Sequence, residues 1–135
     1  MKKVLMAAAL VVAATGAQAA VWVEAAGNVF YDQSSLKFTR LKGDVLQIDT
    51  WMRTEIEADY PGDTSRIVTR MQFKCAEDRY YRTTAMHFYN DYGRRVGQET
   101  SPTKWAMAIP DSKIDYVAKS LCRQAYNKLM RNKRS

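Results

Sequence analysis

Apolar and polar residues alternate through most of the chain from residue 36 to residue 100, and near its end apolar residues recur every third or fourth position. The first pattern is the period of half-buried β-strands and the second that of an amphipathic helix. Leu36-Lys37-Phe38-Thr39-Arg40 alternates, and Val45–Ile56 carries Leu46, Ile48, Thr50 and Met52 on one face against Val45, Gln47, Asp49 and Trp51 on the other. Lys42-Gly43-Asp44 lies between them, which predicts a hairpin. Asp59-Tyr60-Pro61-Gly62-Asp63 is a loop, because Pro fixes φ and Gly permits positive φ. Ile67, Thr69, Met71 and Phe73 then share one face of the next strand, with Cys75 in phase.

A strand is expected from Arg79 to Tyr89, with Tyr80, Arg82, Thr84, Met86 and Phe88 alternating against Tyr81, Thr83, Ala85, His87 and Tyr89. Asn90-Asp91-Tyr92-Gly93 closes it with turn residues, and Arg94–Thr100 reads as a weaker strand at a charged edge. Ser101-Pro102-Thr103 interrupts the pattern, and Trp105–Ile109 predicts a last short extended piece. Earlier, Trp22-Val23-Glu24 and Val29-Phe30-Tyr31 are aromatic and β-branched, as half-buried strands are, and Asp32-Gln33-Ser34-Ser35 reads as a polar jog.

Ser112 followed by Asp115 has the spacing of a helix capping box, with Asp in place of the usual Glu or Gln. Ile114, Val117, Ala118, Leu121, Cys122, Ala125 and Leu129 follow on one helical stripe. A sheet and a helix each with one apolar face bury them against each other. The expected fold is α+β: a single antiparallel β-sheet of about five or six strands with one C-terminal α-helix packed on it.

Composition then sets the compartment. The chain opens Met1-Lys2-Lys3, runs apolar from Val4 to Ala14 and reaches Ala17-Gln18-Ala19, the layout of a bacterial secretory signal peptide. The apolar run falls well short of the roughly 20 residues that a membrane-spanning helix needs. Residues 1–19 are therefore expected to be removed, leaving 20–135 as one domain with no transmembrane segment. No cysteine follows the expected cleavage point to carry a lipid, so the destination is the periplasm, the cell surface or the medium. Export places the two cysteines, Cys75 and Cys122, in an oxidising environment, and only one pairing is open to them. A disulfide between them would tie the helix across the sheet.

The formal net charge is +7, of which Lys2 and Lys3 leave with the leader. Much of the remainder is local: Lys128, Arg131, Lys133 and Arg134 crowd the last eight residues with no acid among them. Such a segment attracts phosphates, anionic lipid or acidic glycans, and equally serves as a solvated helix end.

Catalytic chemistry is sparse. The single histidine, His87, stands within a strand without an adjacent nucleophile or ligand set, and Asp49, Glu55, Glu57 and Asp59 are spaced as on a solvated strand end and loop. No phosphate-binding loop or nucleophile elbow is present. The expectation is a non-enzymatic protein with no catalytic residue, metal site or cofactor. A more informative set is Arg79, Tyr80, Tyr81, Arg82, Arg94 and Arg95, which a hairpin at Tyr89–Gly93 would place on neighbouring strands. Tyr offers rigid amphipathic area and Arg planar donors for anionic groups, so these residues are the candidate partner-binding set. Tyrosines in the core and arginines in solvent are the ordinary structural alternative. Single-stranded nucleic acid also uses cations beside aromatics, but export disfavours that partner.

Trp22, Tyr31-Asp32 with Ser34 and Ser35, the Val45–Trp51 strand, Cys75 followed by Arg79-Tyr80-Tyr81-Arg82, Tyr89 with Gly93, Trp105, Ile109-Pro110 with Ser112, and Cys122 together resemble the surface-adhesin E family of small exported Gram-negative proteins. The resemblance implies an antiparallel sheet, a C-terminal helix and the Cys75–Cys122 disulfide, in accord with the pattern above. It also implies adhesion to host extracellular-matrix or serum proteins such as vitronectin, laminin and plasminogen. A periplasmic structural or inhibitory protein that binds a cell-envelope protein of its own cell is the alternative, and, separately, a homodimer is left open. A small hydrolase dependent on His87 is the third.

Overall fold

The computed structural model describes residues 19–134. The expected leader, apart from Ala19, lies outside the described residues. Three long antiparallel strands form the centre of the sheet: β4 (Leu46–Glu55), β5 (Thr64–Cys75) and β6 (Arg79–Asn90). Each flank is made of short strands laid end to end. Along β4, β2 (Val29–Asp32) pairs with Met52–Thr54 and β3 (Lys37–Arg40) with Leu46–Asp49, while β1 (Trp22–Ala26) adds outside β2. Along β6, β7 (Arg95–Glu99) pairs with Met86–Tyr89 and β8 (Ala106–Met107) with Tyr80–Tyr81. The result is an eight-stranded sheet with six strands in its main order, more than the five or six expected from the pattern. The excess comes from these broken flanks, where a chain that must jog leaves two short strands in place of one.

The β2–β3 jog has a definite cause in Asp32, Ser34 and Ser35. Asp32 Oδ1 accepts hydrogen bonds from the Val21 and Ser34 amides at 2.8 and 3.1 Å and from Ser34 Oγ at 2.6 Å. Ser35 Oγ donates to the Asp32 carbonyl at 2.9 Å and accepts from the Trp51 amide at 3.0 Å. These side chains satisfy backbone groups that the interrupted ladder leaves open.

Helix α1 (Lys113–Arg134) lies across one face of the sheet. Val117, Ala118, Leu121 and Ala125 pack against Tyr31, Leu46, Ile48, Met52, Met71 and Phe73, all of them buried, with Ile114, Cys122 and Leu129 at the margins. The two alanines let the helix approach closely, and the full burial of Phe73, Ile48 and Leu121 contributes roughly 1.5–3 kcal/mol each. The disulfide Cys75–Cys122 joins the end of β5 to the middle of α1, with 5.7 Å between the Cα atoms. At the start of α1, Ser112 Oγ accepts the Asp115 amide at 3.2 Å, as a cap does. The reciprocal half differs from a capping box: Asp115 Oδ2 takes the Asp111 amide, at 3.1 Å, and the rest of its carboxylate turns to the sheet.

One expectation is corrected in β6. Thr84 is an extra residue, since Arg70 pairs with Ala85 but Met71 pairs with Thr83. A bulge of this kind reverses the facing of everything beyond it. Arg79, Tyr81 and Thr83 face the helix, and past the bulge that side is taken over by Met86 and Phe88, opposite Thr69 and Ile67. Tyr80, Arg82, Ala85, His87 and Tyr89 consequently share the other face, which no helix among the described residues covers.

Candidate functional site

Strand β6 divides the candidate residues between two jobs. Arg79 points toward α1, where its Nε donates to Asp115 Oδ1 at 3.0 Å, and Lys119 Nζ approaches the other carboxylate oxygen at 3.3 Å. Burial raises the Asp115 carboxyl, but hydrogen bonds from Arg79, the Asp111 amide and Lys119 outweigh it and hold its pKa below the ordinary 3.8. Asp115 is buried and Arg79 half-buried, so this pair docks the first turn of the helix on the sheet. Tyr81 packs against the core on the same side. Arg94 and Arg95 lie at the β6–β7 turn, shaped by Asn90 Oδ1 accepting the Tyr92 and Arg94 amides at 3.0 Å each and by Gly93 at φ 76°. Arg95 pairs with Tyr89, roughly 20 Å along the strand from Arg82 at about 3.3 Å per residue. The six residues thus occupy three places: the helix side of the sheet, its open face, and the far turn.

Tyr80 and Arg82 lie on the open face, and Arg82 is the hub of a built cluster. Its Nε donates to Gln72 Oε1 at 2.7 Å, and Gln72 Nε2 donates in turn to Asp49 Oδ1 at 2.7 Å, a polar rung across β6, β5 and β4. The Arg82 guanidinium lies 4.7 Å from the centroid of the Trp105 ring, and Lys74 Nζ lies 4.2 Å from the same ring. Each such cation–π contact is worth about 0.5–1 kcal/mol at an exposed site. Trp105 is fixed by its neighbours along the chain: the Thr103 amide donates to the Thr83 carbonyl at 2.9 Å, and the Ala108 amide to the Arg79 carbonyl at 2.8 Å. Trp105 and Lys74 belong to the site although the pattern of the sequence did not single them out for it. The signal was Trp105 itself, a large aromatic in a polar, proline-containing segment where no core strand runs.

Further along the open face, Arg53 lies between Trp22 and Phe30, 4.8 and 4.5 Å from the ring centroids. Arg53 Nε is 3.0 Å from Glu55 Oε1 but forms no hydrogen bond, whereas Arg66 Nε donates to that same oxygen at 3.0 Å. The Trp51 and His87 rings meet edge to face, 5.9 Å apart. His87 is therefore placed against an aromatic ring, and Asp49 and Glu55 are engaged in cross-strand contacts of their own. Between these clusters Arg70 is exposed, with no ion pair among the described residues. The open face is a surface of cations, Arg53, Lys74 and Arg82, held against aromatic rings, a chemistry suited to binding acidic and aromatic groups of another molecule.

The order of these elements, the disulfide and the fixed position of Trp105 coincide with a match to the family model of surface-adhesin protein E over residues 20–123. The chain belongs to the surface-adhesin protein E family. No curated protein and no solved structure matches it. The family-matched range takes in the whole sheet, both cysteines and the first half of α1. It assigns the chain to an adhesin-type surface protein family. Among the described residues, no helix is long and apolar enough to cross a membrane.

Proposed function

We propose that this surface-adhesin E protein is an exported, non-enzymatic binding module that meets a protein partner through the open face of its sheet, centred on Arg82. The observation that carries the reading is the Arg82–Trp105–Lys74 cluster, in which one indole holds two cations on an uncovered sheet surface beside Tyr80. Arg and aromatic side chains whose rotamers are already restrained lose little freedom on binding, which is what interface hot spots require. Tyr80 and Arg82 form the centre, and Arg94 and Arg95 extend the contact toward the far turn for a partner large enough to span the strand. Arg79 and Tyr81 act through the scaffold. Family membership supports extracellular-matrix or serum proteins as the partner class.

Binding of the purified protein to immobilised vitronectin, laminin and plasminogen tests the proposal. Arg82→Glu combined with Trp105→Ala is expected to weaken binding to the recovered ligand at least tenfold while circular dichroism stays that of the parent. Unchanged binding to every one of the three ligands that the parent recognises would overturn the assignment of the face. Crosslinking in intact cells that captured only envelope proteins, with protection from external protease, would favour the periplasmic alternative.

A further inference from the structure

On the helix side of the sheet, away from the Arg82 face, α1 and the β2–β3 connection enclose a cleft of about 260 Å³. Gln33 and Leu36 come from the connection, Phe38 from β3, and Gln124, Asn127, Lys128 and Arg131 from the C-terminal half of α1. Its volume falls just below the roughly 300 Å³ at which pockets for drug-sized ligands begin, so it has room for a single substituted ring. Among the described residues no carboxylate lines it.

The lining divides into three chemistries. Lys128 and Arg131, three positions apart on one side of the helix, are exposed and take part in no ion pair among the described residues. Gln33, Gln124 and Asn127 present amides, which both donate and accept. Gln124 is oriented by its Nε2, which donates to the hydroxyl of the buried Tyr31 at 3.0 Å and leaves Oε1 for another partner. Phe38 supplies an aromatic wall, with Lys128 Nζ 5.4 Å from its ring centroid.

We propose that this cleft binds an acidic sugar unit, one that bears a sulfate or carboxylate group. The Arg131 guanidinium and Lys128 ammonium meet the anion, the guanidinium with the planar geometry suited to either group. The amides pair with ring hydroxyls, and the apolar face of the sugar ring lies against Phe38. An anionic lipid surface would ask instead for a convex apolar stripe flanked by cations, whereas these residues line a recess furnished with amides. Four of the seven described lining residues, Gln124, Asn127, Lys128 and Arg131, lie beyond the family-matched range 20–123. The site is independent of the Arg82 face, and Arg82→Glu with Trp105→Ala leaves it intact.

Isothermal titration calorimetry and amide NMR shifts of the purified protein, at low and moderate salt, test the proposal. The probes are a sulfated heparin tetrasaccharide, a galacturonate tetrasaccharide, maltotetraose, sodium sulfate, and phosphatidylglycerol vesicles. At least one acidic tetrasaccharide is expected to bind, shifting Gln33, Phe38 and Asn127, and the preference between the two tells a sulfated from a uronic-acid source. Lys128→Gln with Arg131→Gln should weaken binding tenfold or more, and Asn127→Leu severalfold at unchanged net charge. Arg123→Gln and Lys104→Gln, which remove exposed cations elsewhere, should change it less than twofold. The proposal is overturned by absence of binding to both acidic tetrasaccharides, by equal affinity for maltotetraose or free sulfate, by vesicle binding alone, or by an Asn127→Leu variant that binds as the parent does.

Discussion

Removing the Cys75–Cys122 disulfide by the double substitution Cys75→Ala and Cys122→Ala should cost the fold a large part of its stability. The bond closes a loop with a sequence separation of 47. In the chain-entropy account this restricts the unfolded chain by about 4 kcal/mol, against a total of roughly 5–15 kcal/mol for a domain of this kind. Both positions are only half-buried, so the loss of two sulfur atoms from the interior adds little. For a domain of this length each kcal/mol moves the melting temperature by a few degrees, so the midpoint should fall by about 10 °C or more. Urea unfolding followed by circular dichroism separates the mechanism from a simple loss of contacts. If the bond acts on the unfolded state, its removal lets that state expand, and the slope of stability against urea should steepen as the midpoint drops. A melting temperature within 2 °C of the parent would refute the reasoning, because the helix would then be held by its apolar face and the Arg79–Asp115 pair alone.

The pH dependence of stability should carry the signature of Asp115. Its pKa is lowered in the fold, so its contribution is complete above the ordinary carboxylate value and disappears as pH falls through the folded value. The parent should therefore exceed Asp115→Asn in urea midpoint at pH 6, with the gap closing on acidification to pH 2–3, and a gap independent of pH would contradict the assignment. Deleting Thr84 removes the bulge and makes Thr83 and Ala85 consecutive opposite Met71 and Arg70, so both halves of β6 keep their facing. The variant should melt within a few degrees of the parent, and a loss of several kcal/mol or a failure to fold would mean that the added twist of the bulge is itself required.

The central strands and the helix were legible in the sequence because their burial is regular. Ile48, Met52, Met71 and Phe73 keep the two-residue period that points them at the helix, and Val117, Leu121 and Ala125 keep the helical one. Strand β6 offers no such signal. Tyr80 and Tyr81 are adjacent, as are Thr83 and Thr84, so similar residues occupy both faces and nothing in the pattern marks where the parity changes. The division between Arg79 and Arg82 was equally hidden, since the partner that fixes Arg79 is Asp115, 36 positions away. Strand β8 contains two residues, too few for any period to show, yet the chain around it sets Trp105 over Lys74 and Arg82.

The spacing of those two arginines constrains how the protein can diversify. Positions separated by an odd number within one unbroken stretch of strand look in opposite directions, so 79 and 82 answer to different demands although a single turn of coding sequence holds both. A substitution at 79 is judged by whether the helix still docks, and under the proposed function one at 82 is judged by what the open face recognises. A lineage can thus exchange its ligand by drifting at 82 and 105 while inheriting its architecture unaltered, and the bulge at Thr84 keeps the inherited frame from slipping.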